Sequence, residues 1–274
     1  MNWYQDDRRV LNNAELADKI AGFINKLPDD NPKHKRIVAY RLKRFLLELS
    51  KRIPDKKITL FEPHKGKAKN WIQEYEDTNI HTTFQKDQLP KTTGGLLFYN
   101  SFPEVLSGLV TRFGFGPMAL IKDLETYTNK LDTGGTLILY DYMKPNISEE
   151  ASFRLRKLNK SKNLLKKLQT EGEFKDYYKD LKIINHDVVG PYDVVIEFAN
   201  KLNIPDRFIQ RQANVINNFL TKEQWISVIN SLGFELEVVE EIIASEHLWE
   251  LNRYVEIPEY QFHANKILIV AVKK

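Results

Sequence analysis

Three short apolar runs, Ile58-Thr59-Leu60-Phe61, Gly95-Leu96-Leu97-Phe98-Tyr99 and Thr136-Leu137-Ile138-Leu139-Tyr140, constrain this chain most. Each is apolar at consecutive positions, whereas a sheet with one wet face would alternate apolar and polar residues. Strands of this kind are covered on both faces, as in a parallel sheet flanked by helices. Helical periodicity lies between and around them. Asn12 or Asn13 caps a helix over 12–26 with Leu16, Ile20, Phe23 and Ile24 on one face, and Pro28 through Pro32 ends it. Val38, Leu42, Phe45, Leu46 and Leu49 recur every three or four residues, so a second helix is predicted over Lys35–Arg52, stopping near Pro54. Further helices are expected over 64–76 and Pro117–Leu131, with another strand around Ile80–Phe84.

Ser101 and Glu104 have capping-box spacing for a helix after the second run, and Gly134-Gly135 turns the chain into the third. Beyond Pro145 the alternation is interrupted by a segment that reads as mainly helical and charged, to Asn218. It resumes at Leu220-Thr221-Lys222-Glu223-Gln224-Trp225, where Thr221 and Gln224 form a capping box and Leu220 with Trp225 a hydrophobic staple. Gly233 is placed to end that helix in a left-handed cap, and strands are expected over Glu235–Ile242 and Ile267–Val272. The fold class is therefore α/β, a mostly parallel sheet with helices on both faces and a helical insertion before the last helix. Four regions follow: an N-terminal helical region (1–54), a first part of the core (55–145), the insertion or lid (146–218) and a last part of the core (219–274).

Composition narrows the chemistry. With no cysteine among 274 residues, disulfides, thiolate metal sites and cysteine nucleophiles are excluded. The six histidines, at 34, 64, 81, 186, 247 and 263, have no metal-ligand spacing, so no metal is expected. No apolar run approaches the roughly 20 residues that cross a bilayer, and Met1–Asp7 does not read as a signal peptide, so the expectation is a cytoplasmic protein with no membrane partner. A net charge of +4 permits an anionic partner without requiring one. Arg154–Lys167 carries seven basic residues and no acid, interleaved with leucines; it reads as a helical face that is either solvated or in contact with nucleic acid or an acidic partner.

The order and spacing of these segments resemble the class I S-adenosylmethionine (SAM) methyltransferases from their second strand onward, over roughly 42–145 and 219–274. Leu46 to Asp55 is similar to the family's first sheet-covering helix, and Ile58–Pro63 to the strand whose terminal acid holds the cofactor ribose. The resemblance makes Glu62, followed by Pro63, that acid. An acid at the carboxyl end of a parallel strand can accept from both ribose hydroxyls. Lys86-Asp87-Gln88-Leu89-Pro90 resembles the loop that meets the adenine, with Asp87 as the candidate and Gln88 second. Asn100 and Ser101 stand where the family lines the cofactor, and Leu131-Asp132-Thr133-Gly134-Gly135 resembles its Leu-x-Pro-Gly-Gly turn.

What the resemblance implies is SAM as cofactor and methyl transfer to a small-molecule acceptor under a lid. The family's glycine-rich first loop has no counterpart: between Pro32 and Glu62 there is no glycine at all. This leaves a non-catalytic scaffold working with a protein partner, or an RNA-binding or RNA-modifying protein, as alternatives. His186 and His247 are candidate general bases, because histidine titrates near neutrality. Tyr192, Arg207, Trp249 and Arg253 are candidate acceptor contacts in the insertion and tail.

Overall fold

A computed structural model of the chain describes residues 10–11, 13–27, 32–40, 44–62, 73–99, 124–204, 209, 213–214, 216, 220–244, 251–258 and 263–274. In chain order the elements begin with β1 (Val10–Leu11), α1 (Asn13–Ile24), β2 (Arg36–Tyr40), α2 (Arg44–Arg52), β3 (Lys57–Phe61), β4 (Ile80–Thr83), β5 (Thr93–Tyr99) and β6 (Leu131–Tyr142). The insertion holds β7 (Glu150–Leu155), α3 (Leu158–Thr170), β8 (Lys182–Ile184), β9 (Asp187–Pro191) and α4 (Tyr192–Leu202). The chain finishes with α5 (Lys222–Ser231), β10 (Phe234–Ala244), β11 (Val255–Glu256) and β12 (Lys266–Lys273).

The main sheet has the order β1-β10-β12-β6-β5-β2-β3-β4. Strands β2 to β6 pair in parallel, and β12 runs antiparallel to both β6 and β10. The sequence places this mostly parallel sheet and its antiparallel last strand correctly. Alternate residues of each strand serve opposite faces. On one face Ile37, Ala39, Ile58, Leu60, Leu97 and Ile138 pack against Leu16, Ile20 and Ile24 of α1 and Phe45, Leu46 and Leu49 of α2. On the other, Val38, Leu96, Leu137, Leu139 and Ile269 pack against Leu124, Tyr127 and the α5 residues Trp225, Val228 and Ile229. Burying residues of this size contributes about 1.5–3 kcal/mol apiece before chain entropy is counted.

One expectation is corrected. Lys35–Arg52 is not a single helix: Arg36–Tyr40 is a strand at the centre of the sheet, and the helix starts at Arg44. Ile37, Val38, Ala39 and Tyr40 are all buried, which a two-sided strand requires and which one face of a helix cannot supply. The region 1–54 thus also supplies strands of the main sheet and not helices alone.

The insertion has the helices expected of it together with strands that were not. Strands β7, β8, β9 and the later β11 form a second, antiparallel sheet in the order β11-β7-β9-β8. Phe153, Leu155, Leu164, Leu168, Val188, Val195 and Phe198 form its core. The basic run is divided accordingly: Arg154 lies on β7, and the helix begins only at Leu158. Elsewhere the local chemistry is as read. Thr221 and Gln224 make both capping-box bonds, and Gly233 has φ +79°. The expected helix over 64–76 and the Ser101 cap fall outside the described residues, apart from the short 3-10 turn Gln73–Tyr75.

Candidate active site

From β2 the chain winds outward through β3 and β4, then returns to the other side of β2 with β5 and β6. The connections on either side of β2 leave in opposite directions, and in open sheets of this kind ligands bind in the crevice at the carboxyl ends of the strands where they part. Tyr40 ends β2 there, in register with Phe61 of β3 and Phe98 of β5. Its ring stacks on Phe98 at 4.4 Å with the planes 6° apart, and meets Tyr127 edge-on at 4.6 Å and Phe61 at 5.9 Å. All four rings are buried, so the floor beneath these strand ends is a packed aromatic layer.

Polar groups follow the ends of β3 and β4. The Glu62 N–H donates to the Thr83 carbonyl (2.9 Å), fixing the backbone where β3 ends, and the side chain is half-buried. Its charge reaches Tyr75, whose phenol is pushed up to about 12 by burial first, then by Glu74 and Glu62. Asp87 and Gln88 lie on a 3-10 turn after β4, both exposed. Thr83 Oγ1 donates to Gln88 Oε1 at 2.6 Å, which orients the amide against the strand end. Pro63, Asn100 and Ser101 lie outside the described residues.

A nucleoside suits this arrangement: a carboxylate at one strand end for a ribose diol, and an oriented amide at the next for a base edge. The β2 side differs. Arg41, Leu42 and Lys43 join Tyr40 to α2, with no glycine to let backbone approach a ligand closely. The residues present therefore fit the nucleoside end of SAM better than its methionine end. Among the described residues no group of three or more histidine or acidic side chains could hold a metal ion.

A second polar cluster lies above the same edge of the sheet, where the insertion meets β6. Lys144, two residues beyond β6, pairs with Asp193 in the first turn of α4 at 2.7 Å, and the Tyr177 hydroxyl donates to the same carboxylate oxygen at 3.2 Å. The neighbouring Tyr192 is buried, with its ring edge-on to Phe153 (6.1 Å) and to His263 (4.9 Å). Lys266 is buried at the start of β12 with its ammonium over the rings of Tyr142 and Tyr140. Deeper in α4, Glu197 and Lys201 form a fully buried pair at 3.1 Å. Burial lowers the Lys201 pKa against the pull of Glu197, and burial followed by Glu197 raises those of Tyr177 and Tyr178.

Of the residues proposed to touch the acceptor, Tyr192 belongs to this joint. Arg253 is exposed just before β11. His186 is exposed in the two-residue turn between β8 and β9, with φ 75°. His247, Arg207 and Trp249 lie outside the described residues. Lys144 and Asp193 escaped the sequence reading. The signal that could have found the acid is Gly190-Pro191 ahead of Tyr192-Asp193, a helix start with a carboxylate in its first turn.

The strand order, with antiparallel β12 slotted between β6 and β10, makes a Rossmann-like sheet. No family model matches the sequence, and neither does any curated protein. Solved structures similar to the chain include the glycopeptide N-methyltransferase MtfA, with a TM-score of 0.47, 10% identity, and 96% of this chain and 97% of that one covered. An S-adenosylmethionine-dependent methyltransferase from Mesorhizobium loti scores 0.48 at 12% identity, covering 87% and 90%. The pyocyanin biosynthetic protein PhzM scores 0.46 at 10% identity over 93% of this chain, which spans 54% of PhzM's length.

Proposed function

We propose that the chain binds SAM in the crevice beside β2, held chiefly by its nucleoside end, and passes the methyl group to a small-molecule acceptor under the insertion. The observation that carries this reading is Glu62, half-buried at the end of a parallel strand next to the point where the sheet reverses its winding. The Lys144–Asp193 pair supports the lid, since it fastens the first turn of α4 above the carboxyl end of β6. SAM would supply an electrophilic methyl group; the chain's part is to orient the acceptor and keep water out.

A specific observation favours a second reading, a non-catalytic scaffold acting on a protein partner. Strand β2 ends in a ring stacked on Phe98 and continues into Arg41-Leu42-Lys43, where this kind of site calls for glycine. Calorimetric titration of the purified chain with SAM, beside Glu62→Ala, separates the two. Micromolar binding that weakens in the variant is the expected result. Absence of binding at millimolar SAM would leave the scaffold.

A further inference from the structure

Helix α3 is built against its own electrostatics. Its N-cap is Lys157, which makes no side-chain capping bond, its first turn has no acid, and Lys160 follows within that turn. Cations at this end oppose the helix dipole, where an acid would be favoured. The inner face, Ser161, Leu164, Leu165 and Leu168, is buried in the insertion core and holds the helix in place. The outer face exposes Asn159, Lys162, Asn163 and Lys166, and Lys162, Lys166 and Lys167 have no ion-pair partner among the described residues. At its N-terminal end the ammoniums of Lys157 and Lys160 converge on one ring, Tyr254, at 4.8 and 5.2 Å from its centre. The ring offsets part of the repulsion, Lys160 also donates to the Ile204 carbonyl at 3.2 Å, and two like charges over one ring favour an anion nearby.

From these observations we infer that the outer face of α3 binds the phosphate backbone of a nucleic acid without reading its bases. Lys157 to Lys167 covers about 15 Å of helix, the length of roughly four or five nucleotides of one strand. Two ammoniums already sit over the Tyr254 ring, and the exposed outer face of α3 has no aromatic residue, so the contact is to phosphate rather than to a stacked base. The segment just beyond supplies an internal contrast. Lys175, Lys179 and Lys182 are also exposed, but Asp176 and Asp180 stand among them, whereas Arg154–Lys167 has no acid.

Fluorescence anisotropy of an unstructured, labelled RNA of about twelve nucleotides, titrated with the full chain at several salt concentrations, tests this surface. The wild type is expected to bind with affinity falling steeply as salt rises, with a log–log slope near −0.7 for each phosphate contacted. Lys157→Glu/Lys162→Glu/Lys166→Glu should weaken binding by more than about tenfold and flatten the slope by about two. All three side chains are exposed, and an unchanged melting temperature confirms that the variant folds. Lys175→Glu/Lys179→Glu/Lys182→Glu, with the same change in net charge, should bind within about twofold of wild type. Equal losses in both variants would overturn the inference by reducing it to net charge. So would the absence of binding at about 50 mM salt, or competition by polyglutamate as strong as by RNA, which would point to an acidic protein instead.

Discussion

The crevice has two sides, and they are made differently. On the β3 and β4 side, polar groups stand at consecutive strand ends: Glu62 is tied through its backbone to Thr83, and Thr83 in turn orients Gln88. On the β2 side the strand ends in Tyr40, packed among Phe61, Phe98 and Tyr127, and the sequence that follows, Arg41-Leu42-Lys43, has no glycine. The sheet needs only the apolar half of this arrangement to be stable, and a ligand needs only the polar half. Stability and binding can therefore be changed separately, one side at a time.

The largest effect should come from the aromatic floor. Phe98→Ala is expected to cost about 3–5 kcal/mol in denaturant unfolding, because the ring is fully buried and Tyr40 loses its stacking partner. A loss below about 1 kcal/mol would mean that the floor can collapse onto a smaller side chain, and the two sides would no longer be distinct.

Alkaline titration probes the polar side next. Tyr75 keeps its proton up to about 12 in the folded chain, against the 10.0 of an ordinary tyrosine phenol. The unfolded chain therefore releases this proton first, and the stability it contributes is complete below pH 10 and lost as pH rises toward 12. The loss is about 1.4 kcal/mol per pH unit across that window. Tyr75→Phe should remove this share of the slope. Tyr177 and Tyr178, also shifted upward, would still act in the variant. An unchanged slope would mean that Tyr75 is not held between its buried surroundings and the acids Glu74 and Glu62.

Glu62→Ala should then weaken SAM binding by at least about tenfold, or 1.4 kcal/mol, with little change in melting temperature because the side chain is only half-buried. The smallest expected change sharpens the contrast from the other side. Leu42→Gly should improve the affinity for S-adenosylhomocysteine by about threefold and leave that for adenosine unchanged, if glycine after β2 serves only the methionine end of the proposed ligand. Equal gains for both ligands would show that residue 42 acts on the whole proposed site.

Local chemistry was the legible part of this sequence. Thr221, Gln224 and Gly233 announce α5 and its cap through short-range hydrogen bonding and backbone preference, and the structure carries both out. Strand β2 was missed because Val38 falls in phase with Phe45, Leu46 and Leu49, so a buried strand and the following helix merge into one helical period. In the insertion, Ala151, Phe153 and Leu155 alternate with the exposed Ser152 and Arg154, a strand pattern obscured by the charged stretch after it. The Lys144–Asp193–Tyr177 joint was not legible at all. Its members come from the end of β6, α4 and a 3-10 turn, and only the packing of the insertion onto the core brings them together.

The central claim is that the crevice recognises the nucleoside end of its ligand. Competitive calorimetry of adenosine against S-adenosylhomocysteine on the wild-type chain tests it most directly. The account predicts that both bind and that the affinities differ by less than about tenfold. A preference for S-adenosylhomocysteine of about a thousandfold would contradict it by placing the main contacts on the β2 side, and a failure of both ligands to bind would remove the cofactor site altogether.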